Sequence, residues 1–151
     1  MKYVDVRIVF QEVPDETTLA INISGCTCHC EGCHSPYLVE DIGEHLDNET
    51  LNRLIEENKG ITCICFMGEG GDPGELNPLI SHIKDNYNLK IGYYTGREEL
   101  PTTIDLNLLD FYKVGPYIKA LGPLTSYRTN QRFYRKEGSQ WINRTDLFWK
   151  E

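Results

Sequence analysis

The chain has 151 residues, a net charge of −8 and a sequence pI of about 5.0, with 40% hydrophobic and 25% charged residues. That length is enough for one domain, 1–151, to bury its own core without covalent staples, and the acidic balance argues against a nucleic-acid backbone as main partner, because counterion release needs clustered Lys and Arg. No apolar run of about 18 residues reads as a membrane span, and "MKYVDVRIVF" carries Asp5 and Arg7 inside its apolar run, unlike a secretory signal, so a cytoplasmic protein is expected.

The elements alternate along the chain. "TLAINIS" (18–24) sets Leu19, Ile21 and Ile23 against small or polar residues, which is strand period, and Gly25 ends it. Asp47 or Asn48 caps a helix carrying Leu51, Leu54 and Ile55, closed by Gly60. "ITCICFM" (61–67) has the composition of a buried strand, and "GEGGDPG" (68–74) is turn chemistry throughout. A second helix over about 75–87 has Leu76, Leu79, Ile80, Ile83 and Tyr87 at helical spacing, with Pro78 in its first turn. "LKIGYYT" (89–95) is a strand, Leu106 to Leu109 a short helix, and "FYKVG" (111–115) a strand entering the Gly115–Pro116 turn. "QRFYRKEG" and "SQWIN" pair as a hairpin across Gly138, and "RTDLFWK" is a short terminal helix or a tail. The last quarter is locally basic, either as solvated surface or as a docking face for a partner or an anionic ligand.

Strands linked by helices at this spacing predict a parallel sheet with helical crossovers. In such sheets ligands meet the carboxyl ends of the strands. Three loops leave predicted strands at that end: the cysteine segment after Ser24, the glycine-rich segment after Met67, and "YTG" (94–96).

The first of these reads "SGCTCHCEGCH" (24–34), with Cys26, Cys28, Cys30 and Cys33 inside eight positions. In a reducing compartment such a cluster points to metal or redox chemistry more than to a disulfide, and thiols two residues apart make poor bridges. Soft thiolates suit zinc or iron–sulfur. A zinc site would use all four thiolates, or three with His34. Two features favour a three-thiolate site of Cys26, Cys30 and Cys33. Including Cys28 demands consecutive one-residue spacings, and a glycine-rich strand end faces the same edge, as expected for a ligand beside the metal. Cys63 and Cys65 lie two apart on a strand and read as buried free thiols on one face.

The spacing C-x3-C-x2-C resembles the signature of the radical S-adenosylmethionine enzymes. The resemblance implies that Cys26, Cys30 and Cys33 bind three irons of a [4Fe–4S] cluster, and that S-adenosyl-L-methionine chelates the fourth. His34 then covers the adenine or the cluster, or is simply a hydrogen-bonded loop histidine. Where many members carry an aromatic residue before the third cysteine, this chain has Gly32, leaving Tyr37 as a candidate neighbour of the adenine. "GEGGDP" (68–73) resembles the family's GGEP motif, with Asp72 in place of glutamate; Gly70, Gly71, Asp72 and Pro73 would then meet the amino group of S-adenosylmethionine. Thr95 would contact its methionine or ribose part, or simply end a strand.

"GCTCHCEGCHSPYL", "MGEGGDP", "YTG", "KVGPYI" and "TNQRFYR" together look like the small activating enzymes of anaerobic (class III) ribonucleotide reductase, over about residues 15 to 136. This implies a small, incomplete β/α barrel with a mostly parallel sheet, open on one side to a protein substrate. It also implies the chemistry: the cluster, reduced by an external donor such as flavodoxin or ferredoxin, cleaves S-adenosylmethionine to methionine and a 5′-deoxyadenosyl radical. That radical takes hydrogen from a glycine of the reductase's glycyl-radical subunit, and no side chain is required as acid or base. Some relatives have an acidic residue where this chain has Lys113–Val114, and Asn130, Gln131 and Arg132 read as local structure or docking. Another glycyl-radical enzyme or a small molecule is an alternative substrate, and a zinc-binding interaction module without catalysis is the alternative from another class.

Overall fold

The computed structural model describes residues 2–10, 13–14, 16–23, 44–68, 73–116 and 118–148. Its strands are β1 (Lys2–Val9), β2 (Thr18–Ile23), β3 (Glu44–His45), β4 (Cys63–Met67), β5 (Lys90–Tyr94), β6 (Phe111–Val114), β7 (Arg132–Glu137) and β8 (Gln140–Asn143). Two helices, α1 (Asn48–Glu57) and α2 (Leu76–Asn86), and 3-10 turns at Pro73–Glu75, Leu106–Leu108 and Thr145–Phe148 complete the described elements.

All eight strands share one sheet in the order β3-β1-β2-β4-β5-β6-β7-β8. The sheet expected to be mostly parallel is mixed. Among the described residues, β2–β4, β4–β5 and β5–β6 are parallel, while β1–β2, β1–β3, β6–β7 and β7–β8 are antiparallel. Helical crossovers over α1 and α2 link β2 to β4 and β4 to β5, whereas β1–β2 and β7–β8 are sequential antiparallel neighbours that need none.

The sequence shows why each central element forms. Asp47 Oδ1 accepts from the Thr50 N–H at 2.8 Å, satisfying a free donor at the start of α1. That bond holds the Asp47 carboxyl below its usual range. Leu51, Leu54 and Ile55 are the buried stripe of α1, and Leu76, Leu79, Ile80 and Ile83 that of α2. Pro78 sits in the first turn of α2, where its missing N–H leaves no helical bond unmade. Both stripes pack with Leu19, Ile21, Ile23, Ile64, Phe66, Ile91 and Tyr93, so the two helices cover one face of the sheet.

The opposite face carries a second cluster. Cys63, Cys65, Tyr94, Phe111 and Phe133 are buried with Val13 and with Phe148 of the terminal turn. Phe133 is at its centre, edge-on to Phe148 (5.0 Å between ring centroids) and stacked on Phe111 (5.9 Å). Around the parallel centre this face is built from small residues, including Ala20, Cys65 and Gly92 in adjacent register. A Cβ on Gly92 would stand 3.2 Å from Cys65 Sγ, so the strand interior admits little bulk there.

β1 is absent from the expected elements, although Val4, Val6 and Ile8 alternate with Asp5 and Arg7, which is strand period. Tyr3 is buried and Val6 packs against the main core.

Candidate functional site at the carboxyl edge

Because β2, β4, β5 and β6 run parallel, their carboxyl ends share one edge. Backbone bonds draw those ends together. Gly68 N–H donates to Tyr94 O (3.2 Å), Thr95 N–H to Lys113 O (3.0 Å), and Gly115 N–H to Arg97 O (2.5 Å). On the face opposite the helices, Asn22, Met67, Tyr94 and Lys113 occupy one row across the four strands. Lys113 Nζ stands 5.9 Å from the centre of the Tyr94 ring, a cation over an aromatic face.

Gly68 is the tightest point of this edge. Its φ is +100, and a Cβ there would stand 2.6 Å from Ile23 O. The last residue of β2 and the first residue after β4 therefore touch backbone to backbone, and only glycine permits it. The cysteine-bearing and glycine-rich segments leave from these two adjoining points. The sequence reading singled out Gly70 and Gly71 and missed Gly68, although its place directly after an apolar strand was the available signal.

Cys26, Cys30, Cys33, His34, Gly70, Gly71 and Asp72 lie outside the described residues. Pro73 and Thr95 lie within them. Pro73 is buried and opens the 3-10 turn that leads into α2. Thr95 is 1% exposed, and its Oγ1 accepts from the Arg97 N–H at 3.1 Å, closing β5 into a turn. Thr95 is thus held at the edge by backbone on both sides.

The 129–132 segment has a structural part. Gly115 (φ +106) packs against it so closely that a Cβ would stand 3.0 Å from Gln131 Cα. Asn130 Nδ2 donates to Pro116 O (3.1 Å) and Gln131 Nε2 to Gly115 O (3.4 Å), clipping the turn after β6. Asn130 Oδ1 is buried at this edge without a hydrogen-bond partner among the described residues.

The opposite edge is occupied by pairs that hold structure. Glu16 accepts from Lys90 Nζ (2.7 Å) and from the Thr62 hydroxyl (2.7 Å), and the Glu16 bond pushes the Lys90 ammonium pKa up. Cys63 and Cys65 are buried free thiols, as the sequence predicts. Burial pushes the Cys63 thiol up to about 12, so it stays protonated and is a poor metal ligand. Among the described residues no group of three or more His, Cys, Asp or Glu is arranged to hold a metal ion.

A family model, the 4Fe-4S single cluster domain, matches residues 17–131. The chain belongs to this family. The match runs from the residue before β2 to the residue before β7, and so includes the parallel centre with all the loops of its carboxyl edge. Its cofactor class is therefore iron–sulfur. No curated protein and no solved structure matches the chain. No helix among the described residues is long and apolar enough to cross a membrane.

The residues of this 4Fe-4S domain suit such a group. Iron–sulfur clusters take thiolates, and the sequence holds six cysteines. Cys63 and Cys65 are spent on packing the sheet. The other four belong to the segment that leaves β2 beside Gly68, and soft sulfur donors in that number match iron–sulfur as zinc also would. The family match decides for iron–sulfur.

Proposed function

We propose that the chain is a radical S-adenosylmethionine activating enzyme, in which Cys26, Cys30 and Cys33 hold a [4Fe–4S] cluster with one iron left to S-adenosylmethionine. One observation carries the reading. A chain of the 4Fe-4S domain family has its spare thiols in the segment that follows β2, at an edge where Ile23 of β2 and Gly68 after β4 are in backbone contact. When bound and reduced, the cluster and S-adenosylmethionine supply a 5′-deoxyadenosyl radical for hydrogen abstraction, here from a glycine of the anaerobic ribonucleotide reductase.

The chain's own residues bind and orient. Gly68 keeps the two loops adjacent. Gly70, Gly71 and Asp72 would supply backbone carbonyls and a carboxylate for an ammonium group, Pro73 opens the 3-10 turn that leads into α2, and Thr95 and His34 would border the nucleoside. An external donor such as flavodoxin or ferredoxin supplies the electron, and the setting is the cytoplasm.

We also read the sheet as a small, incomplete β/α barrel. Strands β2, β4 and β5 lie side by side, and α1 and α2, which precede β4 and β5, both lie on one face. Winding in one direction with helices on one side curls a sheet, and the small residues of the other face accommodate the curl. The antiparallel strands at each end stop it from closing.

The test is anaerobic reconstitution with iron and sulfide, followed by electron paramagnetic resonance of the reduced protein with and without S-adenosylmethionine. A signal that changes on adding it supports a vacant iron; an unchanged signal refutes it. Cys30→Ala loses iron and S-adenosylmethionine cleavage, while Cys28→Ala and the double variant C63A/C65A retain both. Loss of the cluster in Cys28→Ala alone overturns the ligand set.

A further inference from the structure

Charge is segregated along the sheet. From Phe111 to Phe148 there are seven Lys or Arg residues and two acids, Glu137 and Asp146, whereas Met1 to Asp110 has seven cations against twenty acids. The basic stretch comprises β6, β7, β8 and their connections, at one end of the strand order. An acidic molecule thus carries one basic end, and its field orients an approaching partner.

Part of that charge is spent internally. Glu137 binds Arg144 through two bonds of 2.7 and 2.9 Å and also pairs with Arg135 at 3.4 Å. Lys136 donates to Asn107 O and lies over Trp141. Lys119, Arg128 and Arg132 are exposed and form no salt bridge among the described residues. They lie on or beside the connection from β6 to β7, which leaves Val114 and returns at Arg132, residues paired across the two strands. That connection is therefore on the carboxyl edge, beside the candidate site.

The same surface has the features of an interface. Tyr127 is 62% exposed and Ile118 39%. Tyr127, Arg132, Asn143, Arg144, Thr145 and Asp146 line a pocket of about 500 Å3. Arg132 Nη1 donates to Thr129 O (2.6 Å) and Gln131 O (2.8 Å), which fixes the guanidinium before anything binds and lowers the entropy lost on docking. Exposed Tyr and a preorganised Arg beside a pocket are typical of residues that dominate binding.

We propose that residues 118–132, with the Arg132 pocket, dock an acidic face of the protein substrate. The proposal rests on the reading that the substrate is a protein. Hydrogen transfer from a glycine requires the reacting atoms in contact, so that substrate has to seat on the carboxyl edge. There the acidic body of the molecule repels an acidic partner everywhere except at this end.

Association of the reconstituted protein with the glycyl-radical subunit of the reductase is measured by biolayer interferometry at about 50 and about 300 mM salt. K119E/R128E is the main variant, and R132Q the second in case reversal perturbs folding; K59E, on the far side of α1's C-terminus, is the control. The expected result is an affinity about tenfold lower for K119E/R128E and R132Q at low salt, little change for K59E, and a weaker salt dependence in the double variant. Equal losses in all three, no loss in any, or no association of the wild type overturns the proposal. So does binding of an RNA oligonucleotide that K119E/R128E abolishes, which makes the surface a nucleic-acid site. Dithionite-driven cleavage of S-adenosylmethionine by the wild type, with no partner present, is followed separately. Its absence refutes the radical reading, while the binding comparison still decides the surface.

Discussion

Replacing Gly68 by alanine tests the claim that the two site-bearing loops begin in backbone contact. The substitution has two costs. A Cβ at φ +100 is in a region that L-residues avoid, worth about 1–2 kcal/mol. It would also stand 2.6 Å from Ile23 O, a backbone atom that moves only if β2 and β4 part. Overpacking of that kind costs about 1–3 kcal/mol, for a combined loss of about 2–5 kcal/mol. In a chain of this size, that lowers the melting temperature by roughly 4–20 °C. Gly60→Ala isolates the first cost, because Gly60 has φ +98 and nothing within 4 Å of the added Cβ. Urea and thermal unfolding followed by circular dichroism measure both variants, with iron content per chain as a second readout. G68A is expected to lose about 1–3 kcal/mol more than G60A, and to bind less iron while G60A binds it normally. Equal losses in the two variants would refute the close approach.

The remaining predictions concern the far end of the sheet. Phe133→Ala removes the ring that joins Phe111, Tyr94 and Phe148, and is expected to cost about 3–5 kcal/mol in urea unfolding; a loss under about 1 kcal/mol means that the cluster is not a core. Glu137→Gln tests the Arg144 pair. Hydrogen bonds from Arg144 hold the Glu137 carboxyl below the usual carboxylate range, so the pair stabilises the fold above that range and the effect is lost as pH falls through the lowered folded value. E137Q is therefore less stable than the wild type near neutrality, and the two melting curves converge below about pH 4.5. A gap that stays constant from pH 7 to pH 3 excludes the pair as its cause.

Local chemistry made much of the fold legible. The Asp47 cap, the helical stripes of Leu51, Leu54 and Ile55 and of Leu76, Leu79, Ile80 and Ile83, and the turn at Gly138 are each written in a few neighbouring residues. β1 was legible too, in the alternation of Val4, Val6 and Ile8, but Asp5 and Arg7 drew attention to a targeting question instead. The site divides in the same way. The thiol spacing at Cys26, Cys30 and Cys33 is a local pattern, and so is the glycine run that includes Gly70 and Gly71. Gly68 and Gln131 carry no such pattern: their constraint comes from Ile23 and Gly115, distant residues brought against them.

The amino-acid sequence by itself determined both helices, most of the strands and which segment carries the thiols, because those depend on spacing, caps and side-chain type within one stretch of chain. Tertiary structure alone decided that the sheet is mixed, that the β2 and β4 ends meet at Gly68, and that a basic connection lies beside them on the same edge. The physical reason is that pairing direction and strand order are fixed by backbone hydrogen bonds and burial between segments far apart in sequence. No local propensity records which of those segments will become neighbours.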